Sequence, residues 1–355
     1  MGLDLGPLAF LSGHTANRYD ASADKIVCDG DLKDQTATAI EKIRVILEAA
    51  GYAAADVVCI VQYVPPGAFG ALPEIEALLH QGAMGHAPRH VVPVTRLLRR
   101  DALIELEVFA ARSRHRAPRR NAMRLMSGEH GITVFGEAEA SHAQAPAQGS
   151  LAEQVARIGA LLREAGADWP QVARCRLLVA TAEAAVLDEA ARDLARLVPQ
   201  VPTIPAVGVA AFPPGWGKAQ LCVELAAHQP DLAPGFDASP RGLVRRAGPF
   251  LVATGLRADS GESIAQQAER LYGEIVPRLL ESAGIGMEGI VQTVEWLTQD
   301  ALAHYRQTGP IRRNALREPF PVSSGLVCSA LPGGSKLAVD LLAIERGNAL
   351  EAGAA

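Results

Sequence analysis

Leu47-Glu-Ala-Ala-Gly51, followed by the apolar run Val57-Val-Cys-Ile-Val-Gln-Tyr-Val64, decides how the chain is read, because the pattern occurs three times. Its second form is Leu162-Arg-Glu-Ala-Gly166 with Val172-Ala-Arg-Cys-Arg-Leu-Leu-Val179. Its third is Leu280-Glu-Ser-Ala-Gly284 with Ile290-Val-Gln-Thr-Val-Glu-Trp-Leu297. The three glycines stand 115 and 118 residues apart. A later strand signal keeps step: Val92-Pro-Val94, Val207-Gly-Val209 and Leu326-Val-Cys328 begin 41, 41 and 42 residues after their glycines. Solenoid repeats run to only about 20–50 residues, so each copy has the size of a small domain. The chain reads as one domain written three times, over residues 1–115, 122–230 and 247–347, with function expected between the copies.

The copies share a plan. Each opens on a short strand ending in glycine (8–13, 132–136, 251–255). A helix follows, with Ile40, Ile43, Ile46 and Leu47, or Val155, Ile158, Leu161 and Leu162, on one stripe. Ala-Gly ends it, the glycine suiting a left-handed C-terminal cap. A strand comes next, then a second helical stretch over 72–79, 184–197 and 301–316, the last broken at Pro310. Two strands joined by a turn close the copy, 91–97 to 103–110 in the first. One helical layer on one sheet is an α+β sandwich. It leaves one sheet face apolar, and three copies can cover those faces by closing round a common axis. Linkers are expected over 112–121, where five arginines read as a solvated basic run, and over 229–248; the tail 348–355 is expected to fray.

Composition narrows the function. The 355 residues are 49% hydrophobic and 21% charged, ordinary globular values. A net charge of −5 argues against a nucleic-acid protein. Cys28, Cys59, Cys175, Cys222 and Cys328 form no CxxC pair and read as free thiols in a reducing cytoplasm. No signal peptide is read at the N-terminal segment, and no apolar run approaches the ~18 residues of a membrane span. His86 and His90 stand four apart, but Pro88 between them marks a loop rather than a zinc-binding helix face, so no metal and no cofactor is expected. Pro332-Gly-Gly-Ser-Lys336 lacks the strand and helix of a phosphate loop and reads as a hairpin turn. Tyr305, Arg312, Arg313, Ser323 and Ser324 form a polar set in the third copy, either an anion site or solvated helix charges.

The ordered set Leu11-Ser12-Gly13-His14, Asp31-Leu-Lys-Asp-Gln35, Ile46-Leu-Glu-Ala-Ala-Gly51, Asp56-Val-Val, Ala87-Pro-Arg-His90 and Ile104-Glu-Leu-Glu107 resembles the Rid family, also called YjgF-like or enamine/imine deaminases. The likeness is closest in the first copy and fainter over the other two. It implies a chorismate-mutase-like α+β fold, here as an intramolecular pseudo-trimer, monomeric or dimeric, with ligand clefts between copies and hydrolysis of small carboxylate-bearing imines or enamines.

By that resemblance Arg89 and Glu105 are the catalytic pair, and Ser12, His14 and His90 line the substrate pocket. The second copy is read with Ile204 opposite Arg89 and Cys222 opposite Glu105. The third is read with Ser323, Ala338 and, for the serine, Thr254. One cleft would keep the full set. A guanidinium fork binds a carboxylate bidentately, which holds the C=N carbon for attack by a water that Glu105 activates as general base. The plainer alternative is an Arg89–Glu105 salt bridge on adjacent strands, worth little if solvated. Two further readings stay open: an enol-ether hydrolysis of the chorismatase kind, and a non-catalytic small-molecule binder.

Overall fold

The computed structural model describes residues 2–6, 8–112, 122–124, 132–135, 149–164, 166–201, 203–227, 242–247, 250–258 and 263–345. Residues 113–121, most of 229–248 and the tail 348–355 lie outside that set. The fold is α+β with mixed sheets, as the sequence predicts.

The first third carries β1 (Gly2–Asp4), β2 (Leu8–His14), a β3 (Arg18–Asp20) to β4 (Lys25–Val27) hairpin, α1 (Leu32–Ala49), β5 (Val57–Val64), α2 (Leu72–Gln81), β6 (Arg89–Pro93), β7 (Arg96–Leu97) and β8 (Glu105–Ala111). The middle carries β9 (Ala122–Arg124), β10 (Ile132–Phe135), α3 (Leu151–Glu164), β11 (Val172–Ala180), α4 (Ala184–Leu197), β12 (Ala206–Val209) and β13 (Ala219–Ala227). The last carries β14 (Leu243–Ala247), β15 (Phe250–Arg257), α5 (Ile264–Arg270), α6 (Val276–Ser282), β16 (Ile290–Thr298), α7 (Thr308–Ala315), β17 (Val322–Cys328) and β18 (Leu337–Ile344). β14 corrects the expected second linker: its last residues form a strand that pairs with β15 from Leu243 onward.

Three sheets share one strand order, β1-β2-β8-β5-β6, β9-β10-β13-β11-β12 and β14-β15-β18-β16-β17. In each the last pair is parallel and the others antiparallel. The first helix ends the same way in all three thirds. Gly51, Gly166 and Gly284 have φ of +74°, +77° and +69°, and the next amide reaches back to Leu47, Leu162 or Leu280 at 2.8–2.9 Å. This is the Schellman closure, which a side chain at C′ would strain.

Helices cover one face of each sheet and build three separate cores. The other faces meet in one shared core, where Phe10, Tyr63 and Phe109 from the first sheet join Leu178 and Leu225 from the second and Phe250, Val252 and Trp296 from the third. Two sequence expectations need correction. The strand expected over 91–97 stops at Pro93. Its end, β7, crosses to the third sheet and pairs antiparallel with β17, Leu97 opposite Leu326. In the third copy the second helix changes character before Pro310, at the join between the 3₁₀ turn Leu302–Gln307 and α7. Pro310 sits in the first turn of α7, where its missing N–H costs nothing. No helix among the described residues is long and apolar enough to cross a membrane.

Candidate functional site

Glu105 begins β8 and Glu107 follows two residues on, so both side chains leave the same face of the sheet. That face is the shared core, since their register partners Tyr63 and Val61 belong to it. Glu105 is 7% exposed and Glu107 1%. Opposite them lies β17 of the third sheet. Ser324 Oγ donates to Glu107 Oε2 at 2.7 Å and accepts the Gly13 amide at 3.1 Å. The Glu105 carboxylate lies directly over Gly13, where a Cβ would stand 1.7 Å from Oε1 and 2.7 Å from Ser324 Oγ. The glycine of the Ser-Gly pair therefore makes room for this carboxylate.

Burial, reinforced by the charge of Glu107 and opposed by the Ser324 hydroxyl, pushes Glu105 up to about 8. Burial pushes Glu107 up to about 7 against the Ser324 hydroxyl and Arg174. At neutral pH Glu105 keeps its proton. A group so placed donates first and accepts afterwards.

Arg89 is not brought to Glu105. It opens β6 opposite Ile60, which belongs to the helix-facing core, and its Nη2 donates to Glu76 Oε1 of α2 at 2.8 Å. Glu105 lies opposite Tyr63, three residues further along the same central strand. The two are separated by β5, roughly 10 Å of strand rise and the thickness of the sheet. A salt bridge between them on adjacent strands is thereby corrected: the strands are not adjacent, and the partner of Arg89 is Glu76. Nor is either carboxylate of β8 a solvated charge.

The other expected residues distribute likewise. Ser12, half-buried, precedes Gly13 in the irregular stretch of β2 before His14, which is 9% exposed opposite Leu106. His90 is buried on the shared-core face opposite Val61, near enough to Glu224 of β13 to help hold that carboxyl below its usual range. So Glu105, Gly13 and Ser12 belong to the seam with the third sheet, while His90 and Arg89 belong to the β6 edge on the second sheet's side.

Register also corrects one alignment. Tyr63, Leu178 and Trp296 each lie twelve residues beyond their glycine, and stand opposite Glu105, Gln220 and Ala338. Gln220, not Cys222, occupies the Glu105 position in the second sheet; Cys222, opposite Arg176, matches Glu107. Ser323 keeps the Arg89 position, paired by its hydroxyl to Thr293 at 2.9 Å. The third-copy polar set divides: Arg313 and Ser323 are exposed, Ser324 is buried, and Tyr305 and Arg312 are half-buried. Tyr305, Tyr272 and Arg312 converge on Glu295, Arg312 at 2.8 Å and Tyr272 at 2.6 Å.

Sequence reasoning missed a chain of buried charges that ties the sheets together. Gln292 donates to Glu107 and accepts Arg174 at 3.0 Å. Arg176 lies 3.2 Å from Glu224 and 2.7 Å from Asp340, which also takes Trp296 Nε1 at 3.0 Å. Burial would push Glu224 up, but Arg176, Arg174 and His90 hold it below its usual range. The signal was in view: Arg174 and Arg176 alternate inside an apolar strand, on the face that meets the other sheets. Among the described residues no group of three His, Cys, Asp or Glu side chains is placed to hold a metal. The five cysteines are buried and unbonded to one another.

The family model for endoribonuclease L-PSP matches residues 2–112. A RutC family protein of Pyrococcus horikoshii is 36% identical over 106 residues, 30% of this chain and 79% of the relative. Among solved structures, Escherichia coli TdcF with bound serine is 25% identical, covering 32% of this chain and 86% of its own, at a TM-score of 0.27. A Mycobacterium tuberculosis member of the YjgF/YER057c/UK114 family is 26% identical over 31% and 83%, at 0.26. With the Pyrococcus relative matched over most of its length, the chain belongs to the RutC family of YjgF/Rid-like proteins.

Proposed function

We propose that the chain is three tandem Rid-like units, closed into an intramolecular pseudo-trimer, that hydrolyses a small imine or enamine bearing a carboxylate at the seam between the first and third sheets. The repeated strand order and the shared core support the ring. The observation that carries the chemistry is Glu105: a buried carboxylic acid held at about 8, against Ser324 of the facing sheet and over the bare backbone of Gly13. As the acid, Glu105 protonates the imine nitrogen. The resulting carboxylate takes a proton from the water that attacks the C=N carbon. Glu105, protonated again, gives that proton to the amine of the carbinolamine as the C–N bond breaks and takes up the hydroxyl proton as the C=O forms, which leaves a ketone and ammonia with Glu105 restored as the acid. This order of events replaces the base-first role expected from sequence. No metal is needed, because a protonated imine is already electrophilic. Arg89, on the other seam, is the anchor for a substrate carboxylate only if chemistry takes place there.

Ammonia release from 2-imino acids, generated in place by an amino-acid oxidase, tests this. Glu105→Gln is expected to lower kcat by roughly 10²–10⁴ with the fold intact, and Arg89→Ala to leave most of the rate. Loss with Arg89→Ala alone would move the chemistry to the β6 edge. Wild type and both variants equal to the uncatalysed rate would reject hydrolysis in favour of a small-molecule binder, the second reading. The pairing of Arg89 Nη2 to Glu76, which takes one arm of the fork that a substrate would need, is what favours that reading.

A further inference from the structure

The third sheet buries a cation for which the first sheet has none. Arg245 of β14 stands opposite Val252, and the same place in the first sheet is Leu3 opposite Phe10. Leu3 is part of the shared apolar core. Arg245 is only 3% exposed, yet its sole hydrogen bond among the described residues is a 3.3 Å contact from Nη1 to the neighbouring carbonyl of Val244. Its Nε is buried with no acceptor, and no carboxylate pairs with it among those residues. Burial, eased only by the Cys175 thiol of β11, pulls its pKa down. A guanidinium desolvated without a counter-charge is destabilised, and a bound anion would relieve it.

A second buried group with the same defect lies beside it. Thr254 stands opposite Leu243, so it is the diagonal neighbour of Arg245 on the same face of the β14–β15 pair. Thr254 is 1% exposed and its Oγ1 has no partner among the described residues. The side chains beneath are also smaller. In the first sheet Phe10 and Phe109 stack edge to face at 5.2 Å. At the corresponding places the third sheet has Val252 and Leu342. Two aromatic rings are exchanged for smaller chains just where a leucine becomes an arginine. The wall opposite is the second sheet, since Leu243 packs into its helix-facing core and Cys175 of β11 is the titratable group nearest the guanidinium.

We infer that Arg245 and Thr254 form a binding place for a small monocarboxylate, at the contact of the third sheet with the second. A planar carboxylate matches the Nε–Nη2 edge of the guanidinium, the edge that carries the unpartnered Nε, and can accept from a hydroxyl at its flank. A phosphate dianion would call for more donors than this pair supplies. The site is independent of Glu105 and of the hydrolysis proposed above.

Calorimetric titration of the full chain with acetate, and separately with inorganic phosphate, at constant ionic strength in chloride, tests the inference. Acetate is expected to bind once per chain at this site. Thr254→Val should weaken it, and Arg245→Leu, which restores the residue type of the first sheet, should weaken it by roughly tenfold or more. Arg89→Ala and Glu105→Gln should leave this binding unchanged, which separates it from the seam carrying Glu105. Acetate binding that is absent, or equal in wild type and Arg245→Leu, overturns the inference. So does phosphate binding more tightly than acetate through Arg245.

Discussion

Glu105 and Glu107 are two carboxyls that a charge count treats as negative and that their surroundings protonate, Glu105 largely and Glu107 about half at neutral pH. Both have folded-state values above the ordinary 4.5, about 8 and about 7. The folded state therefore holds more protons than the unfolded chain between those values. Their stabilising contribution is complete below about pH 4.5 and disappears as the pH rises through about 7 to 8. Glu224 works the other way, its contribution being lost as the pH falls below its ordinary value. The double variant Glu105→Gln, Glu107→Gln should accordingly gain thermal stability relative to wild type as the pH is raised from about 5 to about 9. Parallel wild-type and variant curves of Tm against pH would sink the assignment. The residue types of this site were legible in Ile104-Glu-Leu-Glu107. Their partners were not, because alternation along a strand gives the face and not what the face meets.

At the scale of elements, β7 shows where local reading stops. Val91 to Leu97 looks like one strand, since β propensity is continuous through it. The break at Pro93 and the turn to another sheet are set by packing: Leu97 is fully buried and belongs to the shared core, and the Thr95 amide bonds Val327 at 2.9 Å. By contrast α4 is placed by the sequence at 184–197, as observed, because a 3.6-residue apolar stripe is a local property. Leu97→Ala should cost about 2–5 kcal/mol and speed amide exchange at Leu326 and Val327, far off in sequence. Exchange accelerated only within the first sheet would show that β7 does not secure β17.

For the whole molecule, the relevant fact is that the three sheets have no faces of their own on the inside. The shared core and the chain Glu107–Gln292–Arg174–Glu224–Arg176–Asp340 run through all of them. Asp340→Ala leaves Arg176 with Glu224 as its one remaining carboxylate and takes the acceptor from Trp296 Nε1; breaking a buried pair outright costs about 3–5 kcal/mol, so a loss of about 2–4 kcal/mol is expected here. Calorimetry should still record a single transition. Two separated transitions in wild type would mean that the sheets unfold as independent bodies. The periodicity of the chain runs in step with three sheets of one strand order. It concealed how unlike their inner surfaces are, since a network that crosses sheets has no spacing within any one of them.

β7 and β17 meet across more than two hundred residues of chain. During synthesis the ribosome delivers the early strand long before its partner exists, and domains emerging first tend to fold first. The leading segment must then wait with β7 unpaired until the last third of the chain has emerged.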